Sequence, residues 1–422
     1  MYRRDPSLAV ELLATKLRTR KGHLRHFTSL HMVVLTAACN CQCDYCQASS
    51  AALEARSGRM SRETAQAVVE MVFSSPAPAV KIEFQGGEPL LNWPVLQYLV
   101  HSAERRNRRA GKRLEFVLCS NLALLDQEKL RFLREHQVAI STSLDGPKDL
   151  HDQHRICRDG SSAYDAFREG LQLLRQDDRM GCSALLTITR SHLGRLREVI
   201  DEYVRLDFPG IFLRSLNPYG SARQRWDELA YSPEEFGQAY VDALDYIIEL
   251  NRDGRFLQEY YATLLLTRIL TPFATGFVDL QSPSGAGISG VIYDFDGDVY
   301  PADEARMLAR MGDKTFRLGN VHEDTYLDIF AGEKLRRLTS ASCVEVLPGC
   351  ARCAYQLYCG GDPIRSYVES GDMIGHRPTS AFCRRNMAIF DHLFALLRRG
   401  DPDTMDIFWS WITRRDLQEV RT

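Results

Sequence analysis

The chain has 422 residues, of which 45% are hydrophobic and 26% charged, an ordinary balance for a globular protein. Its length leaves room for roughly two or three domains, or for one barrel with an appendix. A net charge of -2 gives no reason to expect a nucleic-acid partner, and no apolar stretch approaches the roughly 20 residues needed to span a bilayer, so no membrane is expected. The N-terminus, Met1-Tyr-Arg-Arg-Asp-Pro, lacks the apolar core and cleavage site of a signal peptide, and Asp5 and Glu11 argue against a transit peptide. Twelve cysteines without a secretion signal point to metal binding in a reducing compartment. The expectation is a cytoplasmic, oxygen-sensitive protein.

After an N-terminal segment, 1–29, apolar runs alternate with amphipathic ones. Strands are expected at His31–Thr36, Val80–Gln85, Leu114–Ser120, Val138–Ser143, Ser183–Thr189 and Gly210–Leu213. Helices are expected at Arg62–Phe73, Val95–Arg108, Gln127–Glu135, Ala163–Leu174 and Leu193–Leu206. This βα rhythm predicts an α/β fold with a parallel sheet and helices outside it over 30–230. A mostly helical bridge follows (231–283), then a hairpin, Val291–Tyr300, turning at Gly297. A cysteine-rich region runs to 395, and a C-terminal helix with Trp409 and Trp411 as packing residues completes the chain. The basic stretch Lys16–Lys21 reads as a mostly solvated face. The run Arg105–Arg109 reads as the end of a helix, where cations favour the dipole.

Directly after the first strand stands Cys39-Asn-Cys41-Gln-Cys43-Asp-Tyr45-Cys46, a CxxxCxxC spacing through Cys39, Cys43 and Cys46. Three thiolates on a short loop can hold one face of an iron–sulfur cube and leave one iron open, whereas such clusters normally have four thiolates. A zinc site would combine two such pairs, and no partner pair lies nearby. Cys41 alternates with the three and is read as a bystander. The arrangement resembles the radical S-adenosylmethionine (SAM) enzymes. That resemblance implies a partial (β/α)6 barrel, a catalytic [4Fe–4S] cluster and SAM chelated to the open iron. In barrels the chemistry sits at the C-terminal strand ends, and the remaining motifs fall there.

Gln85-Gly86-Gly87-Glu88-Pro89 follows the second strand, where paired glycines allow close backbone approach. It resembles the family's GGEP motif, which holds SAM's amino group. Ser120-Asn121 ends the third strand where related enzymes carry Thr-Asn-Gly, with Leu122 in place of the glycine. Ser143-Leu-Asp145-Gly-Pro, followed by His151-Asp152 and Arg155, resembles a segment of peptide-modifying radical SAM enzymes. Ser143 and Asp145 suit ribose or carboxylate oxygens, Arg155 a carboxylate, and Tyr45 the adenine. Cys119, Cys157 and Cys182 have no ligand spacing and are read as small buried hydrophobes.

Residues 284–395 resemble a SPASM domain, a seven-cysteine extension with two auxiliary clusters. Cys350, Cys353, Cys359 and Cys383 keep the pattern's second half, and the resemblance assigns them to one auxiliary [4Fe–4S] cluster. The first half keeps its frame without thiols: Ser284-Gly-Ala-Gly287, Gly297 and Ala302 stand there, and Asp362 replaces a later cysteine. The expectation is two clusters, about eight irons, with Cys343 and Asp362 as the candidates for substitute ligands. Asp303, Glu304 and Arg306 lie where the absent cluster would have been and are the candidate substrate-facing catalytic residues.

SPASM relatives mostly modify peptides. Leu30-His31-Met32, Tyr45-Cys46-Gln47 and Tyr300-Pro-Ala-Asp303-Glu304-Ala-Arg306 resemble the maturases of the His-Xaa-Ser peptide system. The resemblance implies radical modification, by cross-linking or oxidation, of a ribosomally made precursor peptide, with an external electron donor of the flavodoxin or ferredoxin type. The alternatives are a sulfatase-type formylglycine maturase and, from another class, a non-catalytic iron–sulfur electron carrier or peptide-binding scaffold.

Overall fold

The structure, a computed structural model, describes residues 6–25, 27–53, 58–176 and 180–421. The Met1–Asp5 stretch considered above therefore lies outside the described residues. After α1 (Pro6–Arg20) come β1 (Leu30–Thr36), α2 (Arg62–Ser74), β2 (Ala79–Gly86), α3 (Trp93–Ala110), β3 (Arg113–Cys119), α4 (Gln127–Glu135) and β4 (Val138–Ser143). Then follow α5 (Lys148–His154), α6 (Ala163–Leu174), β5 (Cys182–Ile188), α7 (Leu196–Arg205), β6 (Gly210–Ile211) and β7 (Leu213–Ser215). The bridge holds α8 (Gly220–Gln224), α9 (Trp226–Leu229), α10 (Pro233–Arg252), β8 (Gln258–Glu259) and α11 (Tyr260–Leu270). The C-terminal part comprises β9 (Gly290–Tyr293), β10 (Asp298–Tyr300), α12 (Asp303–Arg310), β11 (Gly319–Asn320), α13 (Tyr326–Phe330), α14 (Glu333–Ala341), α15 (Pro363–Ser370), α16 (Ala381–Arg399), α17 (Pro402–Thr413) and α18 (Leu417–Arg421).

Local chemistry sets these limits. Ser61, Ser162, Ser232 and Ser380 cap helices by accepting backbone N–H bonds. α3 ends on Gly111 at φ +64°, with Arg108 and Arg109 in its last turn. The expected C-terminal helix is three helices instead. Gly400 closes α16 at φ +65°, and Asp401-Pro402 starts α17, so the turn chemistry overrides the apolar period. Trp411 is buried beside Phe408, as a packing residue should be.

One nine-stranded sheet runs in the order β11-β10-β9-β1-β2-β3-β4-β5-β7. The strands from β1 to β7 in that order are parallel, giving the partial (β/α)6 barrel. β9 adds in parallel to β1, and β10 and β11 follow antiparallel, so the C-terminal hairpin continues the barrel sheet. Gly297 turns that hairpin at φ +88°. The sixth expected strand is split: Gly210–Ile211 pairs with β8, and Leu213–Ser215 pairs with β5. The buried Glu259 carboxylate takes the Leu213 N–H (3.1 Å) and the Tyr240 hydroxyl (2.5 Å), which stabilises the switch from one ladder to the other.

The basic run in α1 departs from its reading. Lys16 is only 7% exposed and donates to the carbonyls of Arg268, Ile269 and Thr271 at 2.9, 2.7 and 3.0 Å, closing the end of α11. Arg20 is 4% exposed; it donates to Gln356 O and, at 2.6 Å, to Cys359 O. Neither side chain is solvated, because both fill gaps left by distant carbonyls.

Candidate active site

A cavity of about 610 Å³ opens at the C-terminal ends of the parallel strands. Cys39, Cys43 and Cys46 line one wall, on a loop stitched to its surroundings by Cys39 N to Ala51 O (3.1 Å), Cys46 N to Cys43 O (3.2 Å) and Ser221 N to Cys46 O (2.8 Å). Cys41 also borders the cavity, but its Sγ lies 3.7 Å from Cys157 Sγ, and its N–H reaches Cys39 Sγ at 3.4 Å. Hydrogen bonding from Cys41 lowers the Cys39 thiol, while burial pushes Cys43 up to about 12 against the pull of Arg155. Three thiols of one short loop bordering one cavity fit an iron cluster with an open position.

Gly86 and Gly87 also line the cavity, and the need for both glycines is steric. A Cβ on Gly86, at φ +148°, would stand 2.3 Å from Thr36 O, and one on Gly87 would stand 2.2 Å from Ala38 O. Gly87 N donates to Thr36 O (2.8 Å) and Glu88 N to Ala38 O (2.9 Å), clamping the β2 end against the loop that starts the cysteine motif. Glu88 and Pro89 do not reach the cavity, contrary to their assignment. The fully buried Glu88 carboxylate takes Leu90 N (3.1 Å), Ser120 Oγ (2.9 Å) and Asn121 N (2.9 Å), and Pro89 starts a 3₁₀ turn. Burial lifts Glu88 to about 7.

Asn121 and Ser143 line the cavity as expected. Leu122 adopts φ +66°, the conformation favoured by the glycine it replaces, so the turn outlasts the residue change at a steric cost. Asp145 corrects the sequence reading: it is fully buried and unavailable to a ligand. It accepts bonds from the Tyr45 hydroxyl, from Arg155 Nε at 2.7 Å and from Thr187 N at 3.3 Å. Burial alone would raise its carboxyl, but the charges of Arg155, His151 and His192 outweigh it and hold it at about 2. Asp145 therefore acts through Arg155 and Tyr45, which do line the cavity and pack guanidinium over ring at 5.4 Å.

Asp303 and Glu304 line the same cavity, in the first turn of α12. Burial raises both carboxyl groups, with Arg306 and Arg214 opposing the rise at Asp303. Arg306 lies in the wall, 1% exposed, with Nε 3.3 Å from Asp294 Oδ1. Sequence reasoning missed Cys119, whose thiol lies on the cavity 3.5 Å from Glu83, and also Glu83, Arg214, Asp279 and Arg365. Its position at the end of β3, level with Gln85 on β2, was the usable signal for Cys119.

Cys350, Cys353, Cys359 and Cys383 lie outside the cavity lining. They sit near one another: burial raises the Cys359 thiol to about 12, and the nearby Cys383 and Cys350 add to the rise. Arg20 and, through Nε to Tyr358 O at 2.8 Å, Arg268 fasten their loop. Of the proposed substitute ligands, Cys343 donates to Thr339 O and is raised by burial and Glu345, with Lys21 opposing. Asp362 caps α15 and lines the cavity. The two do not converge.

Residues 33–218 match the Radical SAM superfamily. The chain carries a radical SAM domain. It is an enzyme, and its cofactors are S-adenosylmethionine and iron–sulfur chemistry of the [4Fe–4S] type, for which the Cys39–Cys46 loop has the donor set described above. Beyond the domain, the chain is 23% identical over 382 residues to a cysteine-type anaerobic sulfatase-maturating enzyme of Clostridium perfringens, covering 87% of this chain and 97% of that protein. A serine-type anaerobic sulfatase-maturating enzyme of Bacteroides thetaiotaomicron is 21% identical, covering 85% and 87%. The same fold occurs in native anSMEcpe with bound AdoMet and Cp18Cys peptide (TM-score 0.75, 20% identity, 88% of this chain and 98% of that one). It also occurs in Streptococcus suis SuiB bound to precursor peptide SuiA (TM-score 0.58, 12% identity, 90% and 81%). No helix among the described residues is long and apolar enough to cross a membrane.

Proposed function

We propose that this radical SAM enzyme is a peptide maturase that oxidises or cross-links residues of a ribosomally made precursor peptide. The observation carrying the reading is a single cavity lined both by three ligand thiols and by Asp303 and Glu304. With a cluster and SAM bound and an external flavodoxin- or ferredoxin-type electron donor, the site would supply radical chemistry able to take hydrogen from a strong C–H bond. Cys39, Cys43 and Cys46 hold that cluster. Gly86, Gly87, Asn121, Ser143 and Arg155 bound the cofactor's side of the cavity, and Asp145 and Tyr45 fix Arg155 in place. Asp303 is the proton acceptor on the substrate side, because it borders the cavity without an ion pair and burial raises its carboxyl above the ordinary range. Cys350, Cys353, Cys359 and Cys383 hold one auxiliary cluster, a one-electron sink kept out of the cavity. A zinc tetrahedron would draw their sulfurs to about 3.8 Å of one another. Among the described residues only His101, Glu104 and His136 bring such atoms within 4.8 Å.

Formylglycine formation is the second reading, favoured by the full-length similarity to sulfatase-maturating enzymes. Ser284, Ala302 and Asp362, where the SPASM pattern has thiols, weigh against it. The His-Xaa-Ser assignment has weaker support than the peptide reading itself. His31 of its Leu30-His31-Met32 string is buried, bonded to Tyr293 and Thr28 O, and serves barrel packing.

Anaerobic co-expression with small open reading frames adjacent to the gene, followed by mass spectrometry, tests the proposal. A loss of hydrogens that disappears with Cys43→Ala supports a peptide maturase. Conversion only of a Cys-x-Pro-x-Arg peptide moves the assignment to formylglycine formation. Unchanged masses throughout, with SAM still cleaved, remove the peptide substrate.

A further inference from the structure

The cavity lining holds more unpaired carboxyls than proton transfer requires. Asp279 before β9, Asp303 and Glu304 at the start of α12, and Asp362 at the cap of α15 come from distant parts of the chain to line one stretch of the cavity. Asp303 and Glu304 make no ion pair, nor does Asp279, within 4.0 Å among the described residues. The nearby cations are largely committed elsewhere: Arg306 to Asp294 at 3.3 Å, Arg155 to Asp145 at 2.7 Å, and Arg365 to Glu369 at 2.8 Å and Asn217 at 2.7 Å. Arg377 gives its bonds to the carbonyls of Ile374, Met373 and Asp362. Arg385 lies over the Phe236 ring, which leaves Arg214 facing the acids from β7.

Burial and mutual repulsion raise these carboxyls. Asp279 is lifted by burial and by Glu304 and Asp362, with Arg214 and Arg365 opposing. Glu304 is lifted by burial and Asp303 against Arg214 and Arg365, and Asp362 reaches about 6 by burial and Glu304 against Arg365 and Arg377. Arg155, Arg306 and Arg365 are paired with acids elsewhere, so these carboxyls outnumber the unpaired cations beside them.

Two buried groups beside these carboxyls lack partners. Arg306, in the lining and 1% exposed, has Nη2 without an acceptor, and the fully buried Tyr219 hydroxyl has none beside Asp362 and Glu304. A ligand carrying a cation beside a hydrogen-bonding carbonyl answers the unpaired carboxyls and Arg306 Nη2 together. The carboxylates do not gather within 4.8 Å as ligands of one metal ion do, so the cation is an extended organic one.

The geometry points to a subsite for a lysine or arginine side chain of the peptide substrate, held by Asp279, Glu304 and Asp362, with Arg306 Nη2 on a backbone carbonyl. This rests on the peptide reading above. Ala302 and Asp362, where the SPASM pattern has thiols, both border the space, so volume the pattern gives to a cluster here receives a side chain.

The test uses anaerobic holoenzyme with SAM and labelled peptides identical except for one central residue: Lys, Arg, Gln, norleucine or Glu. Fluorescence anisotropy is expected to give Lys and Arg peptides at least about tenfold tighter binding than Gln or norleucine, with Glu weakest. The preference should shrink about tenfold in Glu304→Gln and in Asp362→Asn, which keeps the helix cap. It should also weaken as pH falls through the Asp362 value of about 6, because protonation removes the attracting charge. Binding without a charge preference, or tightest for Glu, overturns the subsite alone. No binding of any peptide, with iron content and SAM binding intact, overturns the peptide reading and the subsite with it.

Discussion

The two cysteine groups differ in what they face. Cys39, Cys43 and Cys46 open onto the cavity, on a loop whose start is held against the β2 end by glycines that admit backbone to within contact distance. Cys350, Cys353, Cys359 and Cys383 are absent from that lining, and their loop is fastened from behind by Arg20 and Arg268. A cysteine set on the cavity wall can meet substrate. A set wrapped in loop and helix can exchange only electrons. The difference in orientation, more than ligand count, separates a reactive cluster from an auxiliary one.

The largest test of this division is a pair of alanine variants. Cys43→Ala is expected to reduce iron from about eight to about four per chain and to abolish 5′-deoxyadenosine formation. Cys353→Ala is expected to lose a similar amount of iron, while the remaining cluster still changes its electron paramagnetic resonance signal when SAM is added. If Cys353→Ala removed the SAM-responsive signal, the assignment of the two groups would be reversed.

Arg20→Met gives an intermediate effect and sharpens the same contrast. The methionine keeps the apolar stem but strips hydrogen bonds from Gln356 O and Cys359 O. Losing charged hydrogen bonds at buried carbonyls costs about 2–3 kcal/mol. Under a mild chelator, the variant should release about four irons ahead of the rest, and the SAM-responsive cluster should persist. Uniform iron loss would mean that α1 supports the whole fold and not the C-terminal loop in particular.

The parallel strands and the Cys39–Cys46 loop were legible in the sequence because their signals are local: hydrophobic period, turn residues and ligand spacing. Val138–Ser143 and Gln127–Glu135 have the expected bounds. The split of Gly210–Leu213 was not legible, since it depends on Glu259 arriving from a later segment. Arg20 reads as surface charge until a carbonyl 336 residues away is packed against it. Asp145 has a sequence signature, yet the same letters fit a ligand contact or a buried anchor, and only burial distinguishes them. Asp279, Glu304 and Asp362 carry no shared pattern, because the topology alone brings them together.

The smallest expected effect lies in pH. The turn after β2, beside the cysteine loop, holds a buried carboxylate, whereas the C-terminal loop leans on guanidinium groups that stay charged over the working range. Burial raises Glu88 from 4.5 to about 7, so the folded protein keeps a proton that the unfolded chain releases. This group therefore costs the fold nothing below about pH 4.5 and on the order of 3 kcal/mol above pH 7, with stability falling as pH rises between those values. Glu88→Gln has no such titration, although its amide turns a donor towards Asn121 N–H and lowers stability at acid pH. Wild type should thus be the more stable protein at low pH, with the gap narrowing towards pH 7. In the same urea-unfolding series the Arg20→Met gap should run the other way, widening as pH rises from acid, because Arg20 lies 3.7 Å from Glu345 and helps keep that carboxylate ionised. A constant gap for Glu88→Gln would mean that Glu88 is already ionised in the folded protein and that its three hydrogen bonds outweigh its burial.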